Sequence, residues 1–92
     1  MHLTLLTRAA CPLCDRMRAE AQAIAQARGV GLVEIDVDAD VALADEWGAY
    51  VPVLLLGDPA DNVELCHYHY RHDKVAAALP AAPAPATARD IG

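Results

Sequence analysis

Residues 3–14 read Leu3-Thr4-Leu5-Leu6-Thr7-Arg8-Ala9-Ala10-Cys11-Pro12-Leu13-Cys14, a β-prone run that leads directly into two cysteines. The alternation of Leu and Thr up to Thr7 predicts a short strand. Pro12 suits the first position of a helix, because the N–H that proline lacks would have no intrahelical partner there. We therefore expect a strand, a tight turn and a helix that starts at the cysteine pair.

The elements that follow this helix can be predicted from periodicity and turn residues. The helix should end after Arg28, because Gly29-Val30-Gly31 cannot continue it. Beyond it the patterns predict a strand over 32–37, a helix over 41–47 opened by the caps in 38–40, strands over 51–56 and 63–70, and a short helix capped by Asp73. This order, βαβαββα, predicts an α/β fold in which helices cover both faces of a mixed four-stranded sheet.

Length and composition divide the chain into one domain and a tail. Ninety-two residues, 55% of them hydrophobic, are enough for one small core and too few for two domains. We expect residues 1–80 to form the domain. Residues 81–92 are rich in Ala and Pro and are predicted to be a disordered tail.

The charge balance excludes some classes of partner. Seven basic and thirteen acidic residues give a net charge of −6, which argues against a nucleic-acid partner because phosphate binding needs a basic patch.

No apolar run approaches the ~20 residues of a membrane span, and the N-terminus lacks the basic region of a signal peptide. We expect a cytoplasmic monomer with no membrane partner. Three cysteines are also too few for a disulfide scaffold.

The surroundings of the cysteine pair favour reactivity. A helix N-terminus carries roughly half a positive charge, which stabilises a thiolate at Cys11. The N-terminal third is also locally positive, with Arg8, Arg16 and Arg18 close to the pair in sequence. Such surroundings bring a cysteine pKa from ~8.5 down to ~3.5–7.5. We expect Cys11 to be the exposed attacking thiol and Cys14 the half-covered resolving thiol.

The chain resembles the glutaredoxin branch of the thioredoxin superfamily, specifically the small bacterial glutaredoxin-like proteins. The matches extend from Leu3 to about Leu79 and comprise the first strand with its Cys-Pro-Leu-Cys, Asp36-Val37-Asp38, and Val51-Pro52. The resemblance implies a thioredoxin fold and a thiol–disulfide oxidoreductase that acts on protein or small-molecule disulfides through Cys11 and Cys14. It implies no metal or organic cofactor, with glutathione as a candidate electron donor.

The resemblance also implies where a substrate would bind. Pro52 should follow a cis peptide bond and face the cysteine pair, and the backbone of Val51 should pair with the substrate chain. Arg8 matches a basic residue of the family that meets a carboxylate of glutathione, and Asp73 matches the residue that holds its γ-glutamyl end. Glutaredoxins generally have Gly-Gly where this chain has Tyr70-Arg71, so we expect glutathione to be used weakly.

Two other interpretations of the cysteines stay open. Cys11, Cys14 and Cys66 with one histidine, His67 or His69, would make a Cys₃His zinc set, although the predicted strand order puts Cys66 on the far edge of the sheet. The second is a thioredoxin-fold binding or adaptor module, metal-carrying or not, with little turnover.

The remaining candidates favour structural roles. Cys66 is interpreted as a small core hydrophobe. His67, His69 and His72 are interpreted as surface histidines, with substrate contacts as the alternative. Trp47 and Tyr50 are expected to pack in the core or at its rim.

Overall fold

The structure, a computed structural model, describes residues 1–82. The predicted tail lies, from residue 83 onward, outside the described residues. The strands and helices are β1 (His2–Thr7), α1 (Pro12–Arg28), β2 (Gly31–Asp36), α2 (Val41–Trp47), β3 (Val53–Leu56), β4 (Glu64–His67) and α3 (His72–Ala78). Short 3₁₀ turns occupy Val37–Ala39, Gly48–Tyr50 and Pro59–Asp61. The predicted order βαβαββα is confirmed.

The sheet is mixed and four-stranded, as predicted, with the order β2-β1-β3-β4. β1 runs parallel to β2, with Leu5 opposite Glu34, and antiparallel to β3, with Leu5 opposite Leu54. β4 pairs antiparallel with β3 and forms one edge of the sheet. Because β1 runs parallel to its neighbour β2, both strands end at the same end of the sheet. The helix α1 begins at that end, directly after β1.

The two faces of the sheet carry separate apolar clusters. On one face α1 and α3 pack against the sheet in a cluster formed by Leu3, Leu5, Met17, Ala21, Ile24, Ala25, Leu54, Leu65, Cys66, Val75 and Leu79. On the other face α2 contributes Trp47 to a cluster with Leu6, Val37, Val53 and Leu55. β3 supplies side chains to both clusters, which explains why its sequence is continuously apolar. Helices therefore cover both faces, as predicted.

The bounds of α1 follow from its terminal residues. Pro12 occupies the first helical position and Cys11 is the N-cap. At the other end Gly29 adopts the left-handed conformation, with φ 68° and ψ 33°, and its N–H donates to the carbonyls of Ala25 and Gln26. A residue with a Cβ would adopt this conformation less readily, so glycine ends the helix where the sequence predicted.

In the second half of the chain the structure differs from the prediction in the start of β3, the end of β4 and the cap of α3. The strand predicted over 51–56 starts only at Val53, because a 3₁₀ turn and the Val51–Pro52 peptide precede it. The strand predicted over 63–70 ends at His67, because Tyr68 turns the chain with φ 63°. Asp73 does not cap α3: the N-cap position is held by Arg71, which makes no side-chain capping bond, and Asp73 lies inside the first turn.

None of the helices in the described part of the chain combines the length and the hydropathy that a bilayer-spanning segment needs.

Candidate active site

The two cysteines of the Cys-Pro-Leu-Cys sequence form a disulfide at the N-terminus of α1, with their Cα atoms 5.2 Å apart. Ala10, at φ 54°, turns the chain out of β1, and Cys11 then caps the helix in extended conformation. The Cys11 Sγ accepts the N–H of Cys14 at 3.1 Å, and the Cys11 carbonyl accepts the N–H of Asp15. The sulfur of Cys11 therefore accepts one of the backbone N–H groups that the helix terminus leaves without an intrahelical partner.

The two sulfurs differ in their access to solvent. Cys14 is fully buried, with 0% of its surface exposed. Cys11 is half-buried and stands at the start of the helix, beside the exposed Pro12. Cys11 is therefore the more accessible of the two residues, although it is less exposed, and Cys14 more deeply buried, than the sequence led us to expect. Their roles as attacking and resolving thiols stay predictions.

Arg8 is held by a carboxylate. Its Nε and Nη2 donate to the two oxygens of Asp38 at 3.0 and 3.1 Å, and Nη1 donates to the carbonyl of Gly48 at 3.4 Å. Both side chains of the Arg8–Asp38 pair are about half exposed, so the guanidinium is accessible but its charge is already matched. Its support of the thiolate and its contact with glutathione stay predictions.

Arg18 is also paired with carboxylates. Its Nε and Nη2 donate to Glu34 at 2.6 and 2.7 Å, and its Nη1 donates to Asp15 at 2.7 Å. Glu34 further accepts the hydroxyl of Thr7 at 3.1 Å. The hydrogen bonds from Arg18 hold the pKa of the Glu34 carboxyl below its ordinary value, and they raise the pKa of Arg18. Within residues 1–82, Arg16 makes no ion pair.

Sequence reasoning missed Asp38 and Glu34 as partners of these arginines. The parallel pairing of β1 and β2 could have revealed these partners. It aligns Thr7 with Asp36, and so it brings the C-terminal end of β2 beside the start of α1. The locally positive field inferred from the sequence is therefore largely matched by carboxylates.

The Val51–Pro52 peptide bond is cis, as the resemblance implied. Pro52 is buried, and its carbonyl accepts the N–H of Tyr68 at 2.9 Å. Val51 is half-buried and extended, with φ −61° and ψ 143°. Within residues 1–82 its carbonyl oxygen has no hydrogen-bond partner. The pairing of the Val51 backbone with a substrate chain stays a prediction.

The other predicted site residue, Asp73, lies on the surface. It is exposed in the first turn of α3, and its Oδ1 lies 3.7 Å from the Nε of Arg71. Tyr70, just before this turn, is half-buried against the cluster of α1 and α3, and its hydroxyl contacts the Nδ1 of His72 at 3.1 Å. Burial raises the pKa of the Tyr70 phenol. The binding role of Asp73 stays a prediction.

Cys66 belongs to the core, as the sequence favoured. Only 5% of its surface is exposed, and burial raises the pKa of its thiol. His67, His69 and His72 are all exposed, and His67 contacts Glu64 at 3.2 Å. No three Cys, His, Asp or Glu side chains in the described region are grouped so that they could hold a metal ion.

The two aromatic residues before Val51 differ from each other. Trp47 is buried in the cluster of α2, with 7% of its surface exposed. Tyr50 is 46% exposed and meets the ring of His67 edge-on at 5.6 Å between centroids. The expected packing role is thus confirmed for Trp47, while Tyr50 lies on the surface beside the Val51–Pro52 segment.

Known proteins share sequence and fold with this chain. The family model described as glutaredoxin-like domain (DUF836) matches residues 2–80. The chain is similar to protein Ne2328 from Nitrosomonas europaea, at 29% identity, 86% coverage of this chain, 91% of that one and a TM-score of 0.73. It is also similar to protein XcR50 from X. campestris, at 38% identity, 88% and 99% coverage and a TM-score of 0.61.

A more distant similarity concerns the fold alone. Thioredoxin 1 from Thermosipho africanus shares 16% identity over 85% of this chain and 93% of its own, with a TM-score of 0.60. No curated protein matches the sequence. The fold around the cysteine pair is thus a thioredoxin-like fold.

Proposed function

The chain belongs to the family of glutaredoxin-like domains (DUF836), and from this premise we propose that it is a thiol–disulfide oxidoreductase. The observation that carries the proposal is the Cys11–Cys14 disulfide at the start of α1, in which Cys11 is partly exposed and Cys14 is fully buried. A structural disulfide needs no such asymmetry, whereas a pair that exchanges electrons with a partner needs one accessible sulfur.

The reaction transfers two electrons in two exchange steps. The Cys11 thiolate attacks one sulfur of a substrate disulfide; that S–S bond breaks, and the leaving thiolate takes a proton from solvent. The Cys14 thiol then loses its proton and attacks the Cys11 sulfur of the mixed disulfide, which releases the second substrate thiol. The substrate is reduced to two thiols, and the protein is oxidised to the Cys11–Cys14 disulfide. Neither step requires a metal or an organic cofactor.

The helix terminus favours the first step. Positive partial charge at a helix N-terminus stabilises an anion there, and the N–H of Cys14 already points to the Cys11 sulfur at 3.1 Å. Because Arg8 and Arg18 are matched by carboxylates, we assign most of the thiolate's stabilisation to the helix terminus. Val51, with its free carbonyl, and Pro52 would align the substrate chain beside the pair.

Protein disulfides are the substrate class we favour over glutathione. Arg8 could meet a carboxylate of glutathione only in competition with Asp38, which occupies two of its donors. Asp73 could meet the γ-glutamyl amine, but it lies next to Arg71, and Tyr70 fills space against the core. We therefore propose a monomer that works in the reducing cytoplasm on protein or small-molecule disulfides, with glutathione as a poor electron donor.

The proposal is tested by reducing insulin disulfides with the prereduced protein and comparing cysteine variants. Cys11→Ser should reduce the rate to background, because the attacking sulfur is lost. Cys14→Ser should accumulate a mixed disulfide between Cys11 and the substrate, visible by mass spectrometry without reductant. The matched control is Cys66→Ala, which should keep a rate within about twofold of the wild type because Cys66 lies in the core. Activity that survives Cys11→Ser would contradict the proposal.

A further inference from the structure

Tyr68 has an unusual backbone conformation for a bulky residue. It follows β4 directly and has φ 63°, in the left-handed region where a Cβ is unfavourable. The N–H of His69 donates to the carbonyl of His67 at 2.7 Å, so Tyr68 is the central residue of a γ-turn. A γ-turn with positive φ at its centre is rare and strained. Conformations of this kind persist where the surrounding structure requires them, often at functional sites.

The conformation lets Tyr68 hold one segment at two points. Its backbone N–H donates to the carbonyl of Pro52 at 2.9 Å. Its phenol hydroxyl donates to the carbonyl of Ala49 at 2.6 Å. These two carbonyls bracket Tyr50 and Val51, the residues that lead into the cis peptide bond. A single residue thus fixes both ends of the segment Ala49–Pro52.

The ring of Tyr68 is itself held in place. It meets the ring of His67 edge-on, with centroids 4.8 Å apart, and His67 in turn contacts Tyr50 and Glu64. About two fifths of Tyr68 is exposed, so the hydroxyl is not kept in position by deep burial. If the ring were absent, water would donate to the Ala49 carbonyl instead. The hydrogen bond from Tyr68 therefore serves to fix the position of the segment.

We propose that Tyr68 is a positioning residue for recognition of the substrate chain: it fixes the Ala49–Pro52 segment so that the backbone of Val51 is presented to an incoming polypeptide. The inference rests on the proposed oxidoreductase function and adds to it a residue that distinguishes polypeptide disulfides from small ones. A polypeptide disulfide can pair with the backbone of Val51, whereas a small disulfide without peptide groups cannot. Tyr68 therefore matters for polypeptide disulfides and not for the chemistry at Cys11.

Tyr68→Phe tests this assignment, because it removes the hydroxyl and keeps the ring, the backbone N–H and the positive φ. The two probes are insulin and bis(2-hydroxyethyl) disulfide, each reduced in a single turnover by the prereduced protein. The rate constant for insulin should fall about threefold to tenfold, the effect of one lost neutral hydrogen bond. The rate constant for bis(2-hydroxyethyl) disulfide and the pH dependence of Cys11 alkylation should stay as in the wild type.

Tyr70→Phe is the matched control. It removes a hydroxyl whose one hydrogen-bond partner within residues 1–82 is the side chain of His72, and it should change neither rate. A fall of both rates by the same factor in Tyr68→Phe would show a general structural role and overturn the proposal, as would no change in either. A wild-type protein that reduces neither disulfide would contradict the proposed function itself, and this inference with it. Wild-type activity with an unaffected Tyr68→Phe would contradict this inference alone.

Discussion

The start of α1 and the edge strand β4 each hold a buried cysteine, but their surroundings differ. Cys14 is fully buried next to Cys11, whose sulfur lies at a helix N-terminus and is accessible. Cys66 is 5% exposed, is a free thiol, and sits among Leu and Val side chains of the core. The surroundings of a cysteine in this fold thus depend on where the backbone places it.

Charged side chains alone do not explain the difference between the two regions. Near Cys66, burial raises the thiol pKa, even though a backbone N–H from Arg71 and the charges of Arg71 and Lys74 lower it. Near the pair, Arg8 and Arg18 are matched by Asp38 and Glu34. Basic residues lie close to both regions, so solvent access and the helix terminus must distinguish them.

The largest effect among the charged residues is expected for Asp38→Asn. The change frees Arg8 from a charged partner while leaving a side chain of the same shape. Arg8 can then make a charge-assisted contact with a carboxylate of glutathione, and the rate of reduction of a glutathione mixed disulfide should rise about threefold to tenfold. The measurement is that rate at fixed low ionic strength, where the contact is least screened.

Asp45→Asn is the control for that change. It removes the same charge from an exposed position on α2, and Asp45 makes no ion pair within residues 1–82. An equal rise in both variants would mean that net charge alone repels glutathione. An unchanged rate in Asp38→Asn would mean that Arg8 does not meet the ligand.

A smaller effect is expected for Glu34→Gln, which acts on stability beside the pair. Arg18 lowers the pKa of Glu34, so its ion pair stabilises the folded state when the carboxyl is ionised. Because both side chains are about one-third exposed, the loss at pH 7 should be about 0.5–1 kcal/mol. The contribution is complete above the ordinary carboxyl pKa, declines as the pH falls through it, and is absent below the lowered pKa of Glu34.

Urea unfolding of the wild type and of Glu34→Gln at a series of acidic pH values measures this loss. Glu20→Gln, at an exposed position on α1, is the control. The difference between wild type and Glu34→Gln should disappear at low pH, and Glu20→Gln should differ from the wild type by a few tenths of a kcal/mol at most. A difference that persists undiminished in acid would show that Glu34 acts through packing and not through its charge.

Much of this fold could be predicted because its signals are local. Pro12 and Gly29 mark the ends of α1, Asp40 caps α2, and the apolar run of β3 predicts a strand buried on both faces. The closeness of Cys11 and Cys14 likewise follows from one helical turn. Features of this kind depend on neighbours a few residues away.

The parts that could not be predicted depend on contacts between distant residues. The pairing of Arg8 with Asp38 joins residues 30 positions apart and follows only from the parallel register of β1 and β2. The early end of β4 depends on the positive φ of Tyr68, and tyrosine gives no sequence signal for that conformation. The hydrogen bonds from Tyr68 to Ala49 and Pro52 could not be predicted either, because they join residues far apart in the sequence.

The most direct test of the contrast between the two cysteine regions is the pH dependence of iodoacetamide alkylation in the fully reduced, native protein. Mass spectrometry of peptides containing Cys11, Cys14 and Cys66 gives each rate separately between pH 5 and 10. We predict that the alkylation rate of Cys11 reaches half its maximum below about pH 7.5. Cys14 should be alkylated more slowly, and Cys66 scarcely at all until the protein is unfolded. A half-maximal rate for Cys11 near pH ~8.5, the value of a free thiol, or alkylation of Cys66 as fast as that of Cys11, would contradict it.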